Sequence, residues 1–256
     1  MNVKLAVENG IATVTLDRQE KMNALSEEMY ADMTRIFAEL QADETVRALI
    51  LTGAGKAFCS GSDVGGMANV DVLANRARMK RRHQMIANLV NIEKPVIAAV
   101  NGACVGIGFS IALACDLIVA SDNAKFSQIF KKIGLVPDGG SIFFLVQHLG
   151  IARAKELVYS ARMLPAQEAH EWGMVTKVVP QGELEAAANA LARELADSAT
   201  YALGLAKKMF QSMYTPTLEA LLETELLSQA TARLTEDHKE GLAAFAEKRK
   251  PKFTGR

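Results

Sequence analysis

An excess of charge of either sign is missing from this sequence. Lysine plus arginine number 29, as do aspartate plus glutamate. That balance removes the electrostatic case for nucleic acid or an anionic membrane surface as partner. Cysteine is scarce. Cys59, Cys104 and Cys115 form no CxxC pair, and so small and odd a set argues against a disulfide framework and for a reducing compartment. The four histidines, His83, His148, His170 and His238, have no HExxH or similar spacing, so no metal site is expected. The apolar stretch from Pro95 to Ala120 is broken by glycines, Asn101 and Asp116 and reads as buried core, not as a membrane span. The opening MNVKLAVENG has no basic segment leading into an apolar run, so no signal peptide is expected. Cytoplasmic is the expected location.

What is present alternates strand-like and helix-like patterns. Leu5 to Val7 and Ile11 to Leu16 are β-rich runs around Asn9-Gly10, a hairpin signal because both residues tolerate positive φ. Ser26 has the character of an N-cap, with Glu27 and Glu28 in the first turn and Met29, Met33, Ile36 and Leu40 at helical spacing. Ala48 to Thr52 and Pro95 to Val100 are continuous apolar runs, the pattern of strands buried on both faces. Between them, residues 65 to about 90 read as an exposed helical excursion whose basic run, Arg76 to Arg82, is expected on a solvated face. A buried helix is expected over Gly108–Cys115 and a third strand over Leu117–Ala120. Helices follow over 140–149, 151–159, 166–172, 182–198, 199–213 and 216–232. The fold class is α/β, with a core over 1–195, a helical part over 196–256 and no clear sequence repeat.

The glycine-rich turns are not nucleotide loops. Gly53-Ala54-Gly55-Lys56 lacks the first glycine of a Walker A motif, because Ile50 stands there. Gly102, Gly106 and Gly108 are out of GxGxxG order. Two turns share another logic. Phe58-Cys59-Ser60-Gly61-Ser62-Asp63 and Asn101-Gly102-Ala103-Cys104-Val105-Gly106-Ile107-Gly108 each follow a buried strand, and the second opens a helix with unpaired amides at its positive end. One amide from each, converging on one oxygen, would stabilise an oxyanion with fixed dipoles. Tight packing alone also accounts for such glycines.

These turns resemble the F-x-x-G-x-D and N-G-x-x-x-G-x-G segments of the enoyl-CoA hydratase/isomerase (crotonase) family. Lys21-Met22-Asn23-Ala24-Leu25 is similar to its early N-A-L signature. Glu240-Gly241, Ala244-Phe245 and Glu247-Lys248-Arg249 are similar to its closing stretch. The resemblance implies a spiral of ββα units with a C-terminal helical region that assembles homotrimers, often paired into hexamers. It implies an acyl-CoA thioester as ligand, with coenzyme A entering as part of the substrate and no separate cofactor. Carried over by position, the amides of Ser62 and Ile107 form the oxyanion hole, and isoleucine narrows a pocket where the family commonly has glycine or alanine. Lys21, Ala24, Cys59, Ser60 and Gly61 would contact substrate, as would Asp63, Val64, Gly106 and Phe130. Phe245 and Lys248 would reach coenzyme A, including that of a neighbouring subunit; a solvated charged tail is the alternative for the basic end.

Hydration in this family uses two glutamates. Ser110 stands at the first of these positions and Phe130 at the second, and neither is a carboxylate base. Asp138, in Ile133-Gly134-Leu135-Val136-Pro137-Asp138-Gly139-Gly140-Ser141, matches the single acid of the family's isomerases, and the wording is also similar to its ring-epoxide phenylacetyl-CoA isomerases. One carboxylate suffices for a 1,3-proton shift. The competing role for Asp138 is to cap the helix that follows. Three readings therefore stand: acyl-CoA isomerase, hydratase with an unusual base, and non-catalytic acyl-CoA binder.

Overall fold

The computed structural model describes residues 2–63, 65, 72–212 and 217–256. The chain opens with β1 (Val3–Glu8) and β2 (Ile11–Leu16), an antiparallel hairpin whose turn holds Asn9 and Gly10 at φ 51° and 78°. The hairpin starts a six-stranded sheet, continued in parallel by β3 (Ala48–Gly53), β5 (Val96–Val100), β7 (Leu117–Ser121) and β10 (Lys177–Val179). Because side chains alternate along a strand, Leu49 and Leu51 enter the main core while Ala48 and Ile50 enter a second one. The same split separates Val96, Ala98 and Val100 from Ile97 and Ala99. Both faces are covered, which is why these strands read as unbroken apolar runs. The second core is closed by α6 (Leu184–Ala196), whose Ala188, Ala192 and Ala196 let it lie close on the sheet.

A smaller four-stranded sheet was absent from the sequence-based expectation. It contains β4 (Ala57–Cys59), β6 (Ala103–Val105), β8 (Lys125–Ser127) and β9 (Leu164–Pro165). Its strands interleave with those of the large sheet. β3, β4 and α2 (Val72–Asn91) form one unit, β5, β6 and α3 (Ile107–Leu113) the next, and β7, β8 and α4 (Ser141–Ser160) the third. Each unit adds one parallel strand to each sheet, so the chain advances as a spiral. The repeat lives in backbone pairing, not in residue identity. Gly150 sits inside α4 at non-helical φ 74° and ψ 166°, separating the two helices expected on either side of it. α5 (Ala166–Glu171) precedes β10.

The chain ends in α7 (Thr200–Ser212), α8 (Leu218–Ala232) and α9 (Glu236–Glu247). α9 is an addition to the expected helices. Its signal was Thr235, whose hydroxyl accepts the His238 N–H, followed by Glu236 and Asp237 in the first turn. α1 (Glu27–Ala42) begins as expected, with Ser26 Oγ accepting the Met29 N–H, and buries Met29, Tyr30, Met33, Ile36, Phe37 and Leu40.

The loop before α1 is locked to the first turn of the spiral by Asn23. This residue is fully buried at φ 57°, and asparagine tolerates that left-handed conformation better than most residues. Its Nδ2 donates to the Ala54 and Ala57 carbonyls at 2.9 and 2.7 Å, and its Oδ1 accepts the Arg18 N–H at 2.9 Å. Asn23→Ala is expected to lower stability by about 3 kcal/mol, because buried backbone groups lose their partners. Urea unfolding at fixed protein concentration reads this, and a loss below about 1 kcal/mol would mean that water replaces the amide at little cost.

Candidate active site

The site begins where the β4 arm meets the loop before α1. Leu25 pairs with Ser62 in a parallel bridge, its N–H donating to Gly61 O at 2.8 Å and its carbonyl accepting the Asp63 N–H at 2.9 Å. Across a trans peptide the carbonyl and the next N–H point in opposite directions, so the Ser62 amide faces away from Leu25 and donates to no protein group among the described residues. The arm is tied down further. Ser60 N–H donates to Met22 O and Ser60 Oγ to Lys21 O, at 3.1 and 3.2 Å. Asp63 pairs with Arg18 at 2.7 Å, and Arg18 also donates to Ala24 O at 3.0 Å. Asp63 further accepts the Gly65 N–H, and these bonds hold its carboxyl below the usual range. Lys21, Ala24, Ser60 and Asp63 thus act here as fasteners of the arm. Val64 lies outside the described residues.

The second arm is the β6–α3 turn. Gly106 takes φ 57° and donates to Ser127 O at 2.9 Å, and the next amide, Ile107, opens α3 without a partner among the described residues. The two arms touch. A Cβ on Gly106 would lie 3.8 Å from Gly61 Cα and 3.8 Å from the Phe130 ring. At Gly108 the approach is closer still, since a Cβ there would sit 2.6 Å from both the Cβ and the carbonyl oxygen of Cys59. Only glycine permits this contact. The Cys59 thiol is fully buried, and desolvation pushes its pKa up to about 12, so it packs as an apolar group and is no nucleophile.

Asp138 comes from the turn before α4. Its backbone carbonyl accepts the Ser110 hydroxyl at 2.9 Å, and Gly139 beside it packs on Ile107 and Ser110. The capping role is not what its carboxylate does. The N-cap of α4 is Gly140, with no side-chain bond, and Asp138 Oδ1 is buried without a partner. Oδ2 lies 4.0 Å from Arg82 Nη1. Burial pushes the carboxyl above its ordinary value, opposed by the charge of Arg82 and, less, by His83. A buried carboxylate oxygen with no donor is costly, about 1–3 kcal/mol or more, and such sites cluster where chemistry occurs.

Two residues of this cluster escaped sequence reasoning. The basic run was expected on a solvated face, but Arg82 is only 4 % exposed, at helical spacing with the buried Met85, Ile86 and Leu89. That spacing was the available signal. Its guanidinium stacks 4.5 Å above the Tyr30 ring centroid, and the Tyr30 hydroxyl meets Ser62 Oγ at 2.6 Å. The structure therefore gathers Ser62, Ile107, Phe130, Asp138, Tyr30 and Arg82. Phe245 and Lys248 are not brought to this cluster within one chain; Phe245 is 87 % exposed on α9, which holds the closing segment through Glu240–Arg249 and Asp237–Thr254. A 350 Å³ cleft that includes Thr13, Thr52, Asn101 and Leu184 lies on the α6 face of the large sheet and belongs to the other core.

Comparison with known proteins places the chain in a family. The family model described as enoyl-CoA hydratase/isomerase matches residues 6–256. The 1,2-epoxyphenylacetyl-CoA isomerase of Escherichia coli (strain K12) is 39 % identical over 255 residues, covering 98 % of this chain and 97 % of that protein. A probable enoyl-CoA hydratase of Rhodobacter capsulatus is 36 % identical, covering 99 % and 98 %. The crystal structure of an enoyl-CoA hydratase from Bacillus anthracis superposes with a TM-score of 0.95 at 32 % identity, covering 100 % of each chain. The chain belongs to the enoyl-CoA hydratase/isomerase (crotonase) family and has its α/β fold.

Proposed function

We propose that the protein is an acyl-CoA isomerase that moves a double bond through a thioester enolate. The observation that carries this reading is Asp138, a mostly buried carboxylate with an unpaired oxygen, on a turn whose Gly139 packs against Ile107. Asp138 takes the proton α to the thioester carbonyl of a 3-enoyl-CoA. The C–H electron pair enters the conjugated system, and charge collects on the carbonyl oxygen between the Ser62 and Ile107 amides, whose dipoles are fixed in advance. The protonated Asp138 then returns the proton to the γ carbon, leaving the 2-enoyl thioester. Asp138 recovers its charge, so a single group suffices. Coenzyme A enters with the substrate, and no other cofactor takes part.

Hydration is the second reading, favoured by the relatives named as hydratases. Against it stand Ser110, whose hydroxyl is engaged by the Asp138 carbonyl, and Phe130, whose ring packs on Gly106. The name of the Escherichia coli relative makes an aromatic acyl group a candidate beside an aliphatic one. We assign residues 196–256 to assembly as a homotrimer or hexamer, because Leu222, Leu226, Leu227 and Phe245 are each at least 50 % exposed. The neighbouring subunit is then where Phe245 and Lys248 would meet coenzyme A. No helix among the described residues is long and apolar enough to cross a membrane, and the proposed location is the cytoplasm.

Three outcomes are expected. Wild-type protein given a 3-enoyl-CoA should raise the ultraviolet absorbance of the conjugated thioester, and Asp138→Asn should slow this about 10³-fold. Absorbance that instead falls with a 2-enoyl-CoA, indifferent to the substitution, would establish hydration by another group. The second outcome concerns stability. A raised carboxyl pKa means that folding favours the neutral acid, so this contribution is full below the ordinary value of 3.8 and is lost as pH rises through the raised value. Asp138→Asn should therefore raise Tm at pH 7 by roughly 2–4 °C and lose that advantage below pH 3.8; a lower Tm at pH 7 would mean the ionised carboxylate is net stabilising. Third, sedimentation equilibrium should give a multiple of three times 27.6 kDa, and a monomer would remove the assembly role of the C-terminal helices.

A further inference from the structure

We propose that Arg82 is the positioning residue of this site, one cation that holds both the proton-carrying carboxylate and the Ser62 arm of the oxyanion hole. The proposal rests on the reading of Asp138 as the base. Its geometry is independent of that reading.

Arg82 is buried on α2 and touches the two halves of the site at once. Toward the arm, its guanidinium lies 4.5 Å over the Tyr30 ring, and Tyr30 bonds Ser62 Oγ at 2.6 Å. Toward the base, Nη1 stands 4.0 Å from Asp138 Oδ2. Toward solvent, Nη2 donates to Glu27 Oε1 at 2.9 Å, and Glu27 is shared with Arg78 and Arg81 at 4.0 and 3.7 Å. Nε is buried with no partner. Burying a charge this deeply is unfavourable unless it is paired, and the half-exposed Glu27 pairs it from one side only.

The spacing to Asp138 matters. At 4.0 Å there is no hydrogen bond, so the cation favours the ionised carboxylate without occupying the lone pair that must take the proton. The other groups facing Asp138 do not replace this. Tyr30 comes from α1 and is neutral, its own ionisation pushed up by burial. Ser110 comes from α3 and gives its hydroxyl to the Asp138 backbone. His83 lies on α2 beside Arg82, with a smaller influence than the arginine. When the proton moves, negative charge passes from Asp138 to the oxygen held by the Ser62 and Ile107 amides. Arg82 faces the first position directly and reaches the Ser62 side chain through Tyr30, so the charge leaves from beside a fixed cation. Lysine would keep the charge but cannot lie flat on the ring while bonding Glu27 and facing Asp138 at the same time.

The test compares wild type with Arg82→Met, Arg82→Gln and Arg82→Lys, folding being checked by thermal melts. The glutamine variant is neutral and can still bond Glu27, so it serves if the methionine variant does not fold. Two readouts are taken. One is the pH profile of kcat/KM on 3-hexenoyl-CoA. The other is the titration of the Asp138 carboxyl by NMR in ligand-free, [13C]aspartate-labelled protein, its resonance identified by loss in Asp138→Asn. The neutral variants should move the acid limb and the carboxyl midpoint to higher pH. Their kcat/KM should be about tenfold lower at pH 5 and recover to within about twofold by pH 8, with KM little changed and lysine restoring most of the midpoint. An unmoved midpoint in the neutral variants, whatever the rate, would overturn the proposal and leave Arg82 as a packing residue. Full activity in Asp138→Asn would overturn the base reading instead, and the NMR titration would still report whether Arg82 acts on that carboxyl.

Discussion

The site depends on two stretches of backbone lying in contact, Gly61 against Gly106 and Cys59 against Gly108. At Gly108 any side chain would collide with Cys59, while at Gly61 and Gly106 it is the positive φ, 117° and 57°, that calls for glycine. The contact joins two successive units of the spiral, and each of the two turns carries a backbone amide with no partner among the described residues. The first amide is exposed because Leu25 consumes the hydrogen-bonding groups on the other edge of the arm. The second is free because a helix leaves its first N–H groups unpaired. Neither donor needs a side chain, so isoleucine at position 107 is compatible with the role proposed for its amide.

The electrostatics set burial against a cation. Removing Asp138 from water favours its neutral form, and Arg82 pulls the other way. A base needs both influences: enough burial to want the proton, enough nearby charge to rest without it. The arrangement is bought with unsatisfied polar atoms, Asp138 Oδ1 and Arg82 Nε among them. In a core built for stability alone those atoms would be paired.

Much of the fold was legible in the chain because it is written in periodicity and caps. The Asn9-Gly10 hairpin, the Ser26 cap, the doubly buried strands and the break at Gly150 each have a local chemical cause. The smaller sheet does not. Its strands are two or three residues long, too short for an alternating pattern, and their pairing is set by the spiral. The site divides in the same way. The glycine turns and Asp138 could be found because glycine and an isolated acid beside proline are conspicuous. Tyr30 looks like any residue of an apolar stripe. Arg82 sits in a run of basic residues, and only its register with Met85, Ile86 and Leu89 separates a buried arginine from solvated ones.

Gly139 and Ile107 interlock. A Cβ at position 139 would come within 2.2 Å of Ile107 Cδ1, so the isoleucine occupies the space that glycine leaves. A shorter residue at 107 vacates room beneath the turn that carries Asp138, but Gly139 also sits at φ 63° with Ser110 Cβ only 3.0 Å from where its own Cβ would stand, so a side chain at 139 stays strained even then. Sequence change where these two turns meet is therefore one-sided: position 107 can shrink, while position 139 is held to glycine by its backbone as well as by its neighbours.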